Sequence, residues 1–286
     1  MPELPEVETV ARELRPLLIG REFASARVLW PRTIAEPDPE SFALRVVGQR
    51  IVDISRRGKY ILSALVSGDT LIVHLRMTGR LSVAPIDSPE LAGTHVRAVL
   101  YLAGGDALVF NDARKFGRIW LVPDASSVIG KLGPEPLAWD FTPAVLASRL
   151  RTRCASLKAL LLDQTIVAGV GNIYADEALH LAGLHPLRSG IGLNDEEVTR
   201  LHSAIRNVLT DAIGERGTTL RDYRPPYGLQ GAYQDHLQVY QQTDRPCPRC
   251  GAPIQRIRVT QRSTHYCPHC QPATLPATDA LKAGDM

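Results

Sequence analysis

Four cysteines constrain this 286-residue chain more tightly than any other feature: Cys247-x2-Cys250 and Cys267-x2-Cys270, with 16 residues between the pairs. Two such pairs can close on one zinc ion as a four-thiolate tetrahedron, and a spacer of this length holds a two-stranded hairpin and little more. A pair of disulfides is the weaker alternative, because the fifth cysteine, Cys154, is left odd and the rest of the chain suits a reducing compartment. One structural Zn2+ ion is therefore the expected cofactor. Ile254 to Val259 and Thr264 to Tyr266 are the expected strands, with residues 260–263 as the turn, which puts Arg262 on the turn and facing outward. His265 and His269 are bystanders on this reading, since four thiolates already complete the tetrahedron. Residues 245–270 carry five arginines and no acidic residue, which suits either a purely structural ribbon or one that rests on a polyanion.

Elsewhere the chain is mildly basic, with a net charge of +3. That excludes a histone-like binder but leaves room for local cationic patches. No run reaches the ~18 apolar residues of a membrane span, and the N-terminus lacks a charged-then-apolar leader, so a cytoplasmic protein with no membrane partner is expected. From Phe23 to about Val122 short β-prone runs alternate with Gly, Pro and Asp turns, which predicts a β-sandwich or barrel capped by an N-terminal helix. Residues 123–143 are rich in Pro, Gly and Ser. Beyond them, apolar spacing supports helices near 143–150, 155–163, 172–183 and 195–213, the last opened by Asn194 and Glu197 as a capping pair. The expected division is a β domain over 1–130, a linker over 131–145, a helical domain with a long loop over 146–240, the zinc hairpin over 241–271 and a disordered tail over 272–286.

The chain opens Met-Pro-Glu-Leu-Pro-Glu-Val-Glu-Thr-Val. Pro5 suits a first helical turn, and Val7, Val10, Leu14, Leu17 and Leu18 recur at helical spacing, so a helix should begin here, with Pro16 near its end. If Met1 is removed, Pro2 carries a secondary amine with Glu3 and Glu6 beside it. An N-terminal amine titrates near ~8, well below a lysine, so a useful fraction is neutral and able to attack a carbonyl carbon. A plain helix start, with Pro and Glu serving only the first turn, explains the same residues.

Four further stretches invite two readings each. Arg56-Arg57-Gly58-Lys59-Tyr60 is either a solvated basic turn or a phosphate contact. His74-Leu75-Arg76-Met77-Thr78-Gly79 and Asn111-Asp112-Ala113-Arg114-Lys115-Phe116-Gly117-Arg118 place Met77 and Phe116 either in the core or, flanked by cations and glycines, as wedges that refill the hole left by an extruded base. Val167-Ala168-Gly169-Val170-Gly171-Asn172 is either an ordinary glycine turn or a cap that exposes a helix N-terminus to phosphate.

Taken together, MPELPEVETV, the RRGKY stretch, VAGVGNIYADEAL and the four-cysteine segment with its Gln-Arg-Ser-Thr turn resemble the bacterial formamidopyrimidine-DNA glycosylases. The likeness runs from Pro2 to Cys270. It implies an α+β protein: an N-terminal β-sandwich with a capping helix, then a helix-two-turns-helix domain and a zinc-finger hairpin. It implies a base-excision repair enzyme that removes oxidised purines through an N-terminal proline Schiff base and β,δ-elimination, acting on double-stranded DNA with oxidised bases or abasic sites. A monomer at the nucleoid is expected. The resemblance makes Pro2 the nucleophile, Glu3 the general acid and base, Glu6 the group that orients the amine, and Lys59 and Arg262 the cations that assist elimination. Met77, Arg114 and Phe116 become the void-filling trio, with Arg153, Lys158, Asn172 and Tyr240 as further DNA contacts. Several family members carry two histidines just before the strand that begins at Val96, the first touching DNA; this chain reads Gly93-Thr94-His95, so Gly93 and His95 stand at those positions. The loop over 214–236 is expected to close over the extruded base, and DNA to enter between the two halves. Two rivals remain open: an endonuclease VIII type that prefers oxidised pyrimidines, and a non-enzymatic zinc-bearing binder of damaged DNA.

Overall fold

The computed structural model describes residues 1–219 and 231–273. The expected tail from residue 274 onward, and the middle of the long loop at 220–230, lie outside the described residues. The chain divides into two compact units, residues 1–132 with 210–235 and residues 133–209 with the chain from 236 onward.

The first unit opens on α1 (Leu4–Leu18), followed by β1 (Phe23–Val28), β2 (Ile34–Glu36), α2 (Pro39–Val46), β3 (Ile51–Arg57), β4 (Tyr60–Leu65), β5 (Thr70–His74), β6 (Gly79–Pro85), β7 (Val96–Leu102), β8 (Asp106–Asp112), β9 (Arg118–Val122) and α3 (Ser126–Ile129). Two sheets form, in the orders β1-β7-β8-β6 and β2-β9-β5-β4-β3. Every pairing is antiparallel except β2 with β9. One apolar cluster fills the space between them, with Phe23, Ala98, Leu100, Leu108 and Phe110 from one sheet meeting Ile54, Ile61, Leu71, Val73, Ile119 and Leu121 from the other. Val7, Val10, Ala11, Leu14 and Leu18 of α1 belong to the same cluster. The 3.6-residue period that suggested the helix is thus the face that closes the sandwich. Pro16 lies inside α1 two residues from its end, so the bond it cannot donate falls in the last turn.

The second unit contains α4 (Pro143–Leu150), α5 (Leu157–Leu162), α6 (Asn172–Ala182), most of α7 (Asp195–Gly214) and the hairpin of β10 (Gln255–Val259) and β11 (Arg262–Tyr266). Thr142 and Ser156 cap α4 and α5 through their hydroxyls. Asn194 and Glu197 exchange hydrogen bonds at 2.8 and 2.9 Å, the capping pair expected from the sequence. Gly183, at φ 68°, ends α6 in the left-handed conformation that glycine favours.

Candidate active site and nucleic-acid interface

At the head of α1, Pro2, Glu3 and Glu6 are all buried, while Met1 is 40 % exposed. Glu3 is the N-cap, and its N–H donates to Glu6 Oε2 at 2.8 Å in a reciprocal capping box. The second carboxylate oxygen of Glu6, Oε1, accepts from the N–H of Thr218 at 2.8 Å and from its hydroxyl at 3.0 Å. A glycine is required at 217, where φ is +77° and a Cβ would fall 2.6 Å from Glu6 Oε1. Arg216 pairs with Glu13 two turns farther along the same helix. Glu6 therefore joins the first turn of α1 to residues 217–218, a partnership 212 residues apart in sequence.

The basic stretch is a tight hairpin turn, with Arg57 opposite Tyr60 and Gly58 at φ 56°. A glycine first in a two-residue turn is what the twist of adjoining strands favours. The stretch is not a solvated face. Arg56 donates to Glu8 Oε2 at 2.9 Å and to the Gly58 carbonyl at 3.1 Å, and Arg57 to the Leu132 carbonyl at 3.3 Å. Lys59 is buried, 5 % exposed. Close by, burial together with the cations Arg76 and Lys59 pushes His74 down to about 3. Its imidazole is therefore neutral at physiological pH, and Nδ1 accepts the Arg76 N–H at 3.0 Å while the ring meets Tyr60 edge-on.

Met77 lies just past β5 and is half-buried, whereas Arg114 and Phe116, in the β8–β9 connection, are exposed. Phe116 is 50 % exposed with the Arg114 guanidinium 5.0 Å over its ring. An aromatic ring left in solvent is not a core residue, so of the two readings open for Phe116 the core one is excluded. Gly93 and His95 are both exposed in the segment before β7. A side chain at 93 would put its Cβ 3.2 Å from the Glu90 carbonyl oxygen, so the glycine relieves a close approach.

In the second unit three expectations are corrected. Lys158 is fully buried, its Nζ 2.5 Å from Asp176 Oδ1 and 2.8 Å from the Asn172 carbonyl. A buried ammonium must be paired, and this one is sealed away from any phosphate. Asn172 does not cap α6; Gly171 does, and Asn172 is the first helical residue, its Nδ2 donating to the Ser263 carbonyl at 3.0 Å. Arg262 is not on the hairpin turn. Thr260 and Gln261 alone make that turn, both at positive φ, and Arg262 begins β11 opposite Val259, still exposed. Arg153 is exposed in the loop before α5.

Helix α6 organises this unit through groups the sequence did not mark. Asp176 Oδ2 accepts from the N–H of His265 at 2.9 Å and lies 3.1 Å from its Nδ1, so the hairpin strand is bonded to the helix that starts at Asn172. Glu177, whose carboxyl burial pushes up, receives the backbone N–H groups of Gln238, Val239 and Tyr240 at 2.8 to 3.0 Å. Those bonds place Tyr240, half-buried, with its ring edge-on to His265. One turn on, His180 Nε2 is 3.4 Å from Cys247 Sγ. Burial and Arg249 push His180 down to about 4, so it is neutral here. Each of these partners lies 60 or more residues away in sequence, which is why no local pattern announced them.

The four cysteine sulfurs lie within 4.8 Å of one another. Cys247 to Cys270 is 3.9 Å and Cys250 to Cys267 is 3.4 Å. Sulfurs at 2.3 Å from a tetrahedral zinc stand about 3.8 Å apart, so the four fit that ion and leave no place for His265 or His269.

Comparison with known proteins agrees with this geometry. Three family models match in order: formamidopyrimidine-DNA glycosylase N-terminal domain over residues 1–119, the H2TH domain of the same enzymes over 132–224, and the zinc finger found in FPG and IleRS over 245–273. The formamidopyrimidine-DNA glycosylase of Chloroflexus aggregans is 52 % identical over 276 residues, covering 95 % of this chain and 98 % of that protein. That of Herpetosiphon aurantiacus is 51 % identical over 275 residues, covering 95 % of this chain and all of that one. Among solved structures, a Lactococcus lactis Fpg mutant in complex with DNA containing Fapy-dG superposes with a TM-score of 0.89 at 38 % identity, over 95 % of this chain and 100 % of that one. MutM (Fpg) of Thermus thermophilus gives 0.85 at 42 % identity, over 94 % and 98 %. With its N-terminal domain, helical domain and zinc hairpin all matched in sequence and in fold, this chain belongs to the formamidopyrimidine-DNA glycosylase family.

Proposed function

We propose that this chain is a bifunctional DNA glycosylase and abasic-site lyase that removes oxidised purines, 8-oxoguanine and formamidopyrimidines, from duplex DNA. The observation that carries the reading is the head of α1, where Pro2 and Glu3 are sealed from solvent and braced by Glu6 beneath an exposed Met1. A helix start that served only as a cap would not need two buried carboxylates.

Loss of Met1 leaves Pro2 with a secondary amine. Its lone pair attacks C1′ of the damaged nucleotide, the bond to the base breaks, and a cationic iminium links chain and sugar. Glu3 gives a proton to the sugar ring oxygen as the ring opens and afterwards shuttles protons. The iminium acidifies the C2′ hydrogen. β-Elimination then breaks the 3′ C–O bond, δ-elimination breaks the 5′ one, and the leaving phosphates are steadied by Lys59 and Arg262. Met77, Arg114 and Phe116 refill the stack from which the nucleotide has turned out. Arg153, Asn172 and Tyr240 hold the bent backbone, with Gly93 and His95 beside it. Lys158 has no direct part: through Asp176 and the Asn172 carbonyl it stiffens the helix start.

Zinc supplies no electrophile; when bound it locks the hairpin that presents Arg262. The chain acts as a monomer on the chromosome in the cytoplasm. Among the described residues no helix is long and apolar enough to cross a membrane. The test is the product: an 8-oxoguanine:cytosine duplex should be cut to leave phosphate on both flanking ends. Cutting of oxidised-pyrimidine duplexes alone would move the chain to the endonuclease VIII type, and tight binding without cutting would make it a binding protein.

A further inference from the structure

We infer that Asp112 positions the wedge. One buried carboxylate holds both loops that carry Met77, Arg114 and Phe116, and the inference rests on the reading that those three residues fill the vacated stack. Asp112 is the last residue of β8 and is 1 % exposed. Its Oδ1 accepts the Thr78 hydroxyl at 2.5 Å and the Arg114 N–H at 3.2 Å, and its Oδ2 accepts the Gly117 N–H at 2.7 Å. Thr78 is the neighbour of Met77, and Arg114 and Gly117 bracket Lys115 and Phe116. The Thr78 oxygen also accepts the Arg114 N–H at 3.1 Å, closing a small ring of bonds across the two loops.

Sheet register brings this about. Gly79 pairs with Asp112 across β6 and β8, so Thr78 arrives one residue before the pair and Ala113 leaves one residue after it. Asp112 is itself held from behind, its N–H donating to the His95 carbonyl at 2.8 Å and its carbonyl accepting Arg97 Nε at 2.7 Å. Gly117 lets the bond form, since a Cβ there would strike the Phe110 ring. Each loop also contains a residue other than glycine at positive φ, Arg76 at 56° and Lys115 at 60°. L-residues rarely adopt that conformation unless their surroundings hold them there. Lys115 is tied down once more, its Nζ 4.0 Å over the Trp30 ring. A wedge that must enter a base stack gains from being fixed beforehand, because ordering it during insertion would add to the cost of unstacking.

All three partners of the carboxylate are donors. Asp112→Asn keeps the shape but offers one acceptor oxygen and turns an NH2 group toward an N–H. Thr78→Val keeps the shape and removes the hydroxyl, and Thr78→Ser keeps the hydroxyl. Two readouts on the full-length, zinc-loaded chain separate positioning from simple destabilisation and from failure of the proposed activity. In DNA-free protein, amide exchange followed by NMR should accelerate at Arg114 and Gly117 in Asp112→Asn and at Arg114 in Thr78→Val, stay unchanged through β7, and match the parent in Thr78→Ser. On DNA, single-turnover cleavage of a paired 8-oxoguanine:cytosine duplex should fall at least about tenfold in Asp112→Asn, the effect of one lost oriented hydrogen bond. Cleavage of a single-stranded abasic oligonucleotide, which needs no wedge, should stay within about twofold, the scatter of an ordinary surface change. Unchanged exchange at Arg114 and Gly117 overturns the inference whatever the activity, and so does an equal loss on both substrates. A parent chain that cuts neither substrate defeats the proposed activity, while the exchange measurement still decides whether Asp112 holds the loops.

Discussion

Glu3→Gln is expected to slow base release by ~10²- to 10⁴-fold, the usual worth of a positioned general acid and base, while leaving the fold intact. The structure separates the two effects. The N–H of Glu3 is held by Glu6 whatever the side chain at 3, and the Gln carbonyl can still accept the bond that closes the capping box. Glu3 is 3 % exposed, and the amide fills the same buried volume as the carboxyl group. The variant should therefore melt near the parent temperature and bind lesion duplex as the parent does. Single-turnover excision from an 8-oxoguanine:cytosine duplex checks the rate. A Glu3→Gln rate within threefold of the parent would remove Glu3 from proton transfer.

Cys267→Ala should cost the chain its zinc and its grip on DNA. Around the four sulfurs the apolar support among the described residues is Val239, Cys247, Ile254 and Cys267, with Ala252 and Cys270 packed against them. A cluster of that size cannot hold a hairpin, whereas structural zinc contributes roughly 10–16 kcal/mol to small domains of this kind. Cys267 is fully buried and accepts the Cys270 N–H as well, so its loss opens the site from inside. With the hairpin unfolded, Arg262 and the carbonyl of Ser263 that holds Asn172 are lost together. Affinity for lesion duplex should fall at least about a hundredfold, as expected when several phosphate contacts go at once. The sandwich core contains no residue of the zinc cluster, so amide protection of β4, β5 and β9 should be unchanged. Metal content and fluorescence anisotropy read both halves, and a zinc-free variant that bound like the parent would show the hairpin dispensable.

What could be read in the sequence was what is periodic or locally paired. The four helices of the second half, the Asn194–Glu197 cap and the cysteine tetrad are short-range patterns, and each stands where its spacing put it. The hairpin turn was placed two residues too long because Thr260 and Gln261 both take positive φ without a glycine to signal it, and Arg262 consequently joined a strand. The family resemblance alone marks Lys158 as a DNA contact, and its partner Asp176, 18 residues away, faces it only once α5 packs on α6. Asp112 looked like one more polar residue in a loop. Its role depends on the β6–β8 register, and no single stretch of chain contains both sides of that pairing.

Borohydride trapping during turnover bears most directly on the proposed chemistry. Purified chain is mixed with an 8-oxoguanine:cytosine duplex and reductant, and the cross-linked peptide is identified by mass spectrometry. A tertiary-amine adduct on Pro2, in a chain that begins at Pro2, is the predicted result, because only an iminium between that nitrogen and C1′ would be reduced. Tight binding with no adduct on this or any abasic duplex, or an adduct on Lys59 with Pro2 still carrying Met1, would contradict it.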